Sequence, residues 1–352
     1  MMYNRVYSTH HRSILKHWFG APVIYPKNIY EYNAGSAFVY DIYDVEQNNL
    51  WDIKRVSAHV AQDPRSAVFV NLTSENTAPT PDALSAYVAA VQAFDLPPDR
   101  ITVLASQNDV LDYMHKHTGA NRLVRNLWET HSALTVQNYP TRLEPTHRIC
   151  CLNRRYTPER AWAIHQLWPH RKHLYYTLGA GPAWFKEDDV LQYQRCEWEG
   201  YDWDKRNSVF EWQQHTDPWQ NLNDTVSHDE WDTGHLLAAQ ARGAVSLVVE
   251  SRIRSRLHRS EVFLTEKTYR CIALGIPFVL WAGTGARRTL QSQGYALPKY
   301  SDAIDYTISL CRMTDKQFRK EFTQLKRVAK HNLQVFKERH NNAHAAITAA
   351  KR

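Results

Sequence analysis

The chain has 352 residues, 43% of them hydrophobic, and a formal charge of +7, which is enough apolar mass for a sizeable core and, on length, for two domains. It has no run of 18 apolar residues and no charged start leading into an apolar segment, so neither a membrane-spanning nor an exported chain is expected, and a cytoplasmic one is. Five cysteines, with Cys150 and Cys151 adjacent and no CxxC, speak for reduced thiols and against a disulfide framework or a zinc ribbon.

The opening MMYNRVYSTHHRSILKHWF is polar and aromatic. Residues 37–43 (AFVYDIY) predict the first strand, 67–73 (AVFVNLT) the next, and 81–96 a helix with Leu84, Tyr87, Val88, Val91 and Phe94 on one side. A strand at 101–106 and a helix at 109–117 continue the series. Strand alternating with helix implies a parallel sheet, and so a Rossmann-like domain over residues 1–145.

A second series predicts a strand at 148–152 (RICCL), a helix at 158–167 and a strand at 173–178. Residues 184–231 then hold six of the twelve tryptophans among polar neighbours and read as irregular structure. Order resumes with 244–250 (AVSLVVE), an arginine-rich loop at 252–259, and FLTEKTYRCIALGIPFVLWAG. In that last stretch Thr265 caps a helix, Gly275 ends it, and Pro277 opens a buried strand, 278–281. A small unit at 302–310 closes a second α/β domain, 146–312. From Arg312 to the end there are 11 Lys or Arg against 3 Asp or Glu, with Phe318, Phe322, Leu325, Ala329, Leu333 and Phe336 at helical spacing. Residues 313–352 are therefore expected to form a long basic amphipathic helix and tail.

Ligands of parallel sheets sit beyond the carboxyl ends of the strands. Four polar sets follow predicted strands or open a helix: Ser74, Glu75 and Asn76; Asn153, Arg154 and Arg155 with Arg160 one turn on; Glu250 and Ser251; and Thr265, Glu266 and Lys267. The first offers a lone carboxylate. The others offer cations and a helix start, a fitting counter-charge for a diphosphate without metal.

The order of these sets resembles the α-1,3-fucosyltransferases, inverting enzymes of the GT-B fold with two Rossmann-like domains facing across a cleft. Their donor signature, a strand ending Phe-Glu-Asn, then an aromatic, Thr-Glu-Lys, a short helix and a Pro-led strand, is similar to Val249–Glu250–Ser251 followed by residues 263–267 and 276–283, with Ser251 in place of asparagine. Their strand ending in Ser-Asn with a later arginine is similar to Leu152, Asn153 and Arg160, and SENTAP at 74–79 looks like their Gly-Glu-Asn-x-x-Pro. The resemblance covers residues 67–310. It implies Glu75 as general base, Asn76 on the acceptor side, Arg160 and Lys267 on the phosphates, Glu266 on ribose or sugar, and Asn153, Arg154, Glu250, Thr265 and Arg270 completing the donor site.

The expected activity is transfer of a sugar, fucose among the candidates, from a GDP- or UDP-sugar to a hydroxyl, with no metal or other cofactor. A glycan is the first candidate acceptor. The basic tail and the tryptophans keep two alternatives open: transfer to nucleic acid, or a non-catalytic nucleic-acid-binding protein on this fold. Oligomeric state is not legible. Asp202-Trp203-Asp204, the His228/Asp232/His235 spacing and AGTGARR lack the flanking pattern of a metal site or a phosphate loop, and read as surface or turn.

Overall fold

A computed structural model of the chain describes residues 3–8, 12–19, 21–26, 32–41, 44–45, 50–72, 81–105, 108–124, 129–130, 132–133, 144–153, 158–178, 239–250 and 264–349. It is a mixed α/β structure with two wholly parallel sheets. The chain divides into two compact units, residues 1–131 with 338–352, and residues 132–337. This division falls ahead of the boundary expected at residues 145 and 146, and residues 338–352 group with the first unit.

In the first unit the elements are β1 (Arg5–Ser8), α1 (Arg12–Phe19), β2 (Val23–Ile24), β3 (Ser36–Asp41), α2 (Ile53–Gln62), β4 (Ala67–Asn71), α3 (Pro81–Gln92), β5 (Ile101–Ala105), α4 (Asn108–Thr118) and β6 (Asn121–Val124). The strand order is β2-β1-β3-β4-β5-β6. Strands β3 and β4 are buried along nearly their whole length, as a sheet covered on both faces requires. Phe38, Tyr40, Val68, Val70 and Val103 pack there with Tyr87 of α3 and Met114 of α4. Sequence periodicity misses β1, β2 and β6. The first two have four and two residues, too few for a period, and β6 is a largely exposed edge strand. Strand β1 nonetheless belongs to the core, where Tyr7 stacks on Phe38 at 5.2 Å.

In the second unit the elements are β7 (His147–Asn153), α5 (Pro158–Leu167), β8 (Leu174–Leu178), β9 (Gly243–Val249), α6 (Glu266–Leu274), β10 (Phe278–Trp281), α7 (Thr284–Ser292), α8 (Ala303–Arg312) and the long helix α9 (Asp315–Ala349), which enters the first unit at Glu338. The strand order is β10-β9-β7-β8. Successive strand side chains point to opposite faces, and here the two faces have different partners. Ile149, Cys151, Val245, Leu247 and Val249 pack with Ile164 and Leu167 of α5 and with Ile304 and Leu310 of α8. The alternate residue Ser246 meets Gln240, whose Nε2 donates to Cys271 of α6 at 2.7 Å and lies 3.5 Å from Ser246 Oγ. Helices α5 and α6 therefore lie on opposite faces.

The ends of α6 are set locally. Thr265 is extended (φ −111°, ψ −175°) and its hydroxyl accepts from Lys267 N. Gly275 ends the helix in the left-handed region (φ 64°), where glycine carries no Cβ penalty, and Ile276 N returns to Cys271 O at 2.9 Å. A Cβ there would also lie 3.2 Å from Leu333 Cδ2 of α9. At the other end of the sheet Arg148 Nη1 donates to the carbonyls of Leu310, Cys311 and Met313, tying the end of α8 to β7.

Candidate functional site

Strand β8 lies on one side of β7 and β9 on the other, so the chain reverses its winding between β7 and β9. The helix after β7 goes to one face and the helix after β9 to the other, leaving a crevice beyond the carboxyl ends of these two strands. Asn153 ends β7 and Glu250 follows β9, both at this edge. Arg160 comes from α5 on one face; Thr265, Glu266, Lys267 and Arg270 come from α6 on the other. The described donor-site residues thus gather at one edge of the sheet and come from both of its faces.

Glu250 holds the α6 wall. It is 1% exposed, and its Oε1 accepts from Thr265 N at 2.9 Å and Thr268 Oγ1 at 2.6 Å, while Oε2 accepts from Thr265 Oγ1 at 2.7 Å. Lys267 Nζ is 3.6 Å from Oε2. The carboxylate thus sits at the positive end of α6, the place a phosphate would otherwise take. In this structure Glu250 is the internal anion of that helix start, a positioning group whose oxygens are occupied.

Lys267 is likewise engaged. Its ammonium donates to Thr265 Oγ1 at 3.0 Å and lies 3.7 Å from Glu266 Oε1, sharing its charge between two carboxylates. Arg270 differs. It is 6% exposed, and its Nε has no hydrogen-bond acceptor. Among the described residues no carboxylate lies within ion-pair distance of it. Burial pushes the guanidinium below the ordinary arginine value, while Glu266, Cys271, Glu250 and Cys150 act to raise it. A desolvated cation in that state costs free energy that a nearby anion would offset.

On the other wall Asn153 is wholly buried. Its backbone N donates to Thr177 Oγ1 at 2.9 Å and its Nδ2 to Cys151 Sγ at 3.2 Å, leaving Oδ1 with no donor. Arg160, 3% exposed, stands close enough to Cys151 to pull its thiol down, although burial dominates and pushes that thiol up to about 12. Cys150, Cys151 and Cys271 are all free and buried.

Glu75, Asn76 and Arg154 lie outside the described residues, as do Ser74, Arg155 and Ser251, the arginine-rich loop 252–259, the tryptophan-rich segment 184–231, Asp202, Trp203 and Asp204, and His228, Asp232 and His235. Gly283 and Gly285 are described: Gly283 caps α7 and Gly285 lies in its first turn. Among the described residues no group of His, Cys, Asp or Glu is arranged to hold a metal ion, and no helix is long and apolar enough to cross a membrane.

Sequence reasoning passes over two features. Thr268 belongs to the Glu250 clamp, and the signal for it is a second threonine one helical turn after Thr265. In the first unit the winding reverses between β1 and β3, and there Asn71 Nδ2 donates to Asp41 Oδ2 at 2.8 Å and Asp41 N to Asp44 Oδ2 at 3.0 Å, all buried. The signal is a polar residue closing each apolar strand, AFVYD and AVFVN.

No known family matches the chain, and no curated protein matches it. Among solved structures it is similar to the Glycosylation Associate Protein (Gap123) complex from Streptococcus agalactiae, with a TM-score of 0.42 and 8% identity, over 91% of this chain and 53% of that one. The chain spans about half the length of that neighbour.

Proposed function

We propose that the protein is a glycosyltransferase of the GT-B type, inverting and metal-independent, and that its second unit binds a nucleoside diphosphate sugar at the β7/β9 crevice. The observation that carries this reading is the buried Arg270, whose guanidinium Nε has no acceptor and with which no carboxylate among the described residues pairs. A pyrophosphate supplies the missing charge, and Arg160 from the opposite wall completes a two-sided cationic seat. Glu266, 21% exposed at the mouth, is placed for hydroxyls of ribose or sugar. Asn153 Oδ1 offers an acceptor for a donor group of the nucleotide. Lys267 steadies the Glu250 clamp and reaches the departing phosphate by leaving Thr265.

In the reaction the Glu75 carboxylate takes the proton of an acceptor hydroxyl as its oxygen bonds to the anomeric carbon. The bond from that carbon to the diphosphate breaks, and the diphosphate leaves with the electron pair onto Arg160, Arg270 and Lys267. Attack opposite the leaving group inverts the centre. The resemblance at residues 263–283 favours a GDP-linked sugar, fucose first, and a glycan hydroxyl as acceptor.

The test is thermal denaturation with GDP, UDP and their sugars, followed by product mass spectrometry with a glycan pool. One nucleotide series is expected to raise the melting temperature, and Glu75→Gln to keep that shift while losing transfer. If no nucleotide moves the melting temperature, the donor site is refuted; normal turnover in Glu75→Gln removes that residue as base.

A further inference from the structure

We propose that the exposed face of α9 between Lys316 and Lys337 is a docking surface for the phosphodiester backbone of nucleic acid. Seven cations project from this stretch: Lys316, Arg319, Lys320, Lys326, Arg327, Lys330 and Lys337, all exposed. At about 100° per residue they fall within an arc of roughly 120°. At 1.5 Å per residue the stripe is about 31 Å long. The whole stripe lies in the second unit.

The opposite face fixes the helix in this orientation. Phe318, Leu325, Ala329 and Phe336 are buried. Asn332, 1% exposed, holds both backbone groups of Ala296, its Oδ1 accepting at 2.8 Å and its Nδ2 donating at 2.9 Å. The helix cannot roll its charges away without breaking these contacts.

An ordinary solvated helix face intersperses acids with bases at i,i+4. Here none of the seven cations has a carboxylate within ion-pair distance among the described residues. Of the acids from 315 to 338, Asp315 pairs with Arg148 at 2.5 Å and Glu321 accepts from Tyr306 Oη at 2.6 Å, while exposed Glu338 stands at the far end of the stripe beside Lys337. Like charges at i,i+3 and i,i+4 each cost a few tenths of a kcal/mol, a repulsion that an external polyanion relieves. The positive surface continues past the start of α9 onto exposed Arg312, Arg171 and Lys172. Burial, then Arg312 and Lys172, push His170 below its ordinary value, which places these two cations close to one another.

The shape favours a linear polyanion over a membrane. A helix that binds a bilayer offers its apolar face to the acyl region; the apolar face of α9 between Phe318 and Phe336 is already covered, and among the described residues the exposed large hydrophobics, Tyr25 and Val124, are in the first unit. A stripe about 31 Å long matches roughly one turn of duplex, whose two strands place a charge every 1.7 Å or so. This surface stands apart from the β7/β9 crevice and does not depend on the reading of that site.

The test is fluorescence anisotropy of the full chain with a mixed-sequence 30-base-pair DNA duplex, a structured RNA and phosphatidylserine vesicles, from 50 to 300 mM salt. Binding to DNA or RNA is expected, with a log–log salt slope near −4 to −6 for about five to seven neutralised phosphates. Arg319→Glu, Lys326→Glu and Lys330→Glu together should weaken it at least 50-fold and flatten the slope, with the melting temperature held. Arg319→Lys with Arg327→Lys should retain it. The DNA and RNA arms tell which nucleic acid is preferred. No binding to either at 50 mM salt, affinity unchanged in the triple variant, or tighter binding to vesicles than to both nucleic acids overturns the proposal.

Discussion

Replacing Arg270 by methionine is expected to stabilise the free protein and abolish its response to nucleotide. Moving an ion out of water costs several kcal/mol even after relaxation. Arg270 recovers part of that through Glu266 and Glu250, but neither is within ion-pair distance, and beyond 4 Å a unit charge at an effective dielectric near 20 returns less than about 4 kcal/mol. Exchanging a poorly paired buried ion for an apolar residue of similar length is neutral to about 4 kcal/mol stabilising. We expect a gain of about 1–3 kcal/mol, which at roughly 2–4 °C per kcal/mol for a unit of this size raises the melting temperature by about 2–12 °C. With nucleotide at 100 times Kd the native protein should gain about 2.7 kcal/mol more, and the variant should gain almost none. Arg270→Lys keeps the charge without the fork and should fall between them. Differential scanning fluorimetry with and without nucleotide reads both effects. A variant that melts lower and still responds fully to nucleotide would refute the argument, since Arg270 would then be a structural cation with partners of its own.

Two further predictions concern the framework of the crevice. Glu250→Gln removes the charge from three short hydrogen bonds and turns an amide NH₂ toward Thr265 or Thr268, so a loss of about 2–4 kcal/mol is expected in denaturant unfolding. Thr268→Val should lose about 1–2 kcal/mol, with a coupling above about 0.5 kcal/mol in the double variant; additive effects would mean that the two groups do not share a clamp. Burial pushes the thiols of Cys151 and Cys271 up to about 12 and that of Cys311 up to about 11, with Cys150 also raised. At pH 8 these four of the five thiols should resist an aromatic disulfide reagent in the folded protein and react once it is unfolded; rapid labelling of more than one native thiol would contradict this.

The legible parts of the fold are those whose signals are local. Thr265 and Gly275 mark the ends of α6 because capping chemistry depends on a few neighbouring residues, and Pro158 and Pro277 mark the starts of α5 and β10 in the same way. Strand order is not local. Nothing within RICCLN or AVSLVVE tells that β8 and β9 flank β7 on opposite sides, and that fact puts Asn153 and Arg160 on one wall and the α6 residues on the other. Short elements escape for a related reason: β2, with two residues, exists because β1 pairs with it, Val6 beside Val23 and Tyr7 beside Ile24.

The same distinction changes what Thr-Glu-Lys means in this chain. Read along the sequence, Lys267 beside a helix start is a cation waiting for phosphate, and Glu250 is one more residue of the donor site. In three dimensions each answers the other. Glu250 neutralises the helix end and shares Lys267 with Glu266, so the first turn of α6 carries little net positive charge. The less fully compensated charge lies one turn further along, on Arg270, whose buried Nε has no acceptor and whose cost an arriving dianion would relieve. A phosphate held there gains from desolvation already incurred in folding. One held by Lys267 must first break a 3.0 Å hydrogen bond and two ion pairs. Glu250, Thr265 and Thr268 therefore fix the wall, Lys267 is paired to it, and on the proposed reading Arg270 is the first cation that a phosphate meets without breaking an ion pair.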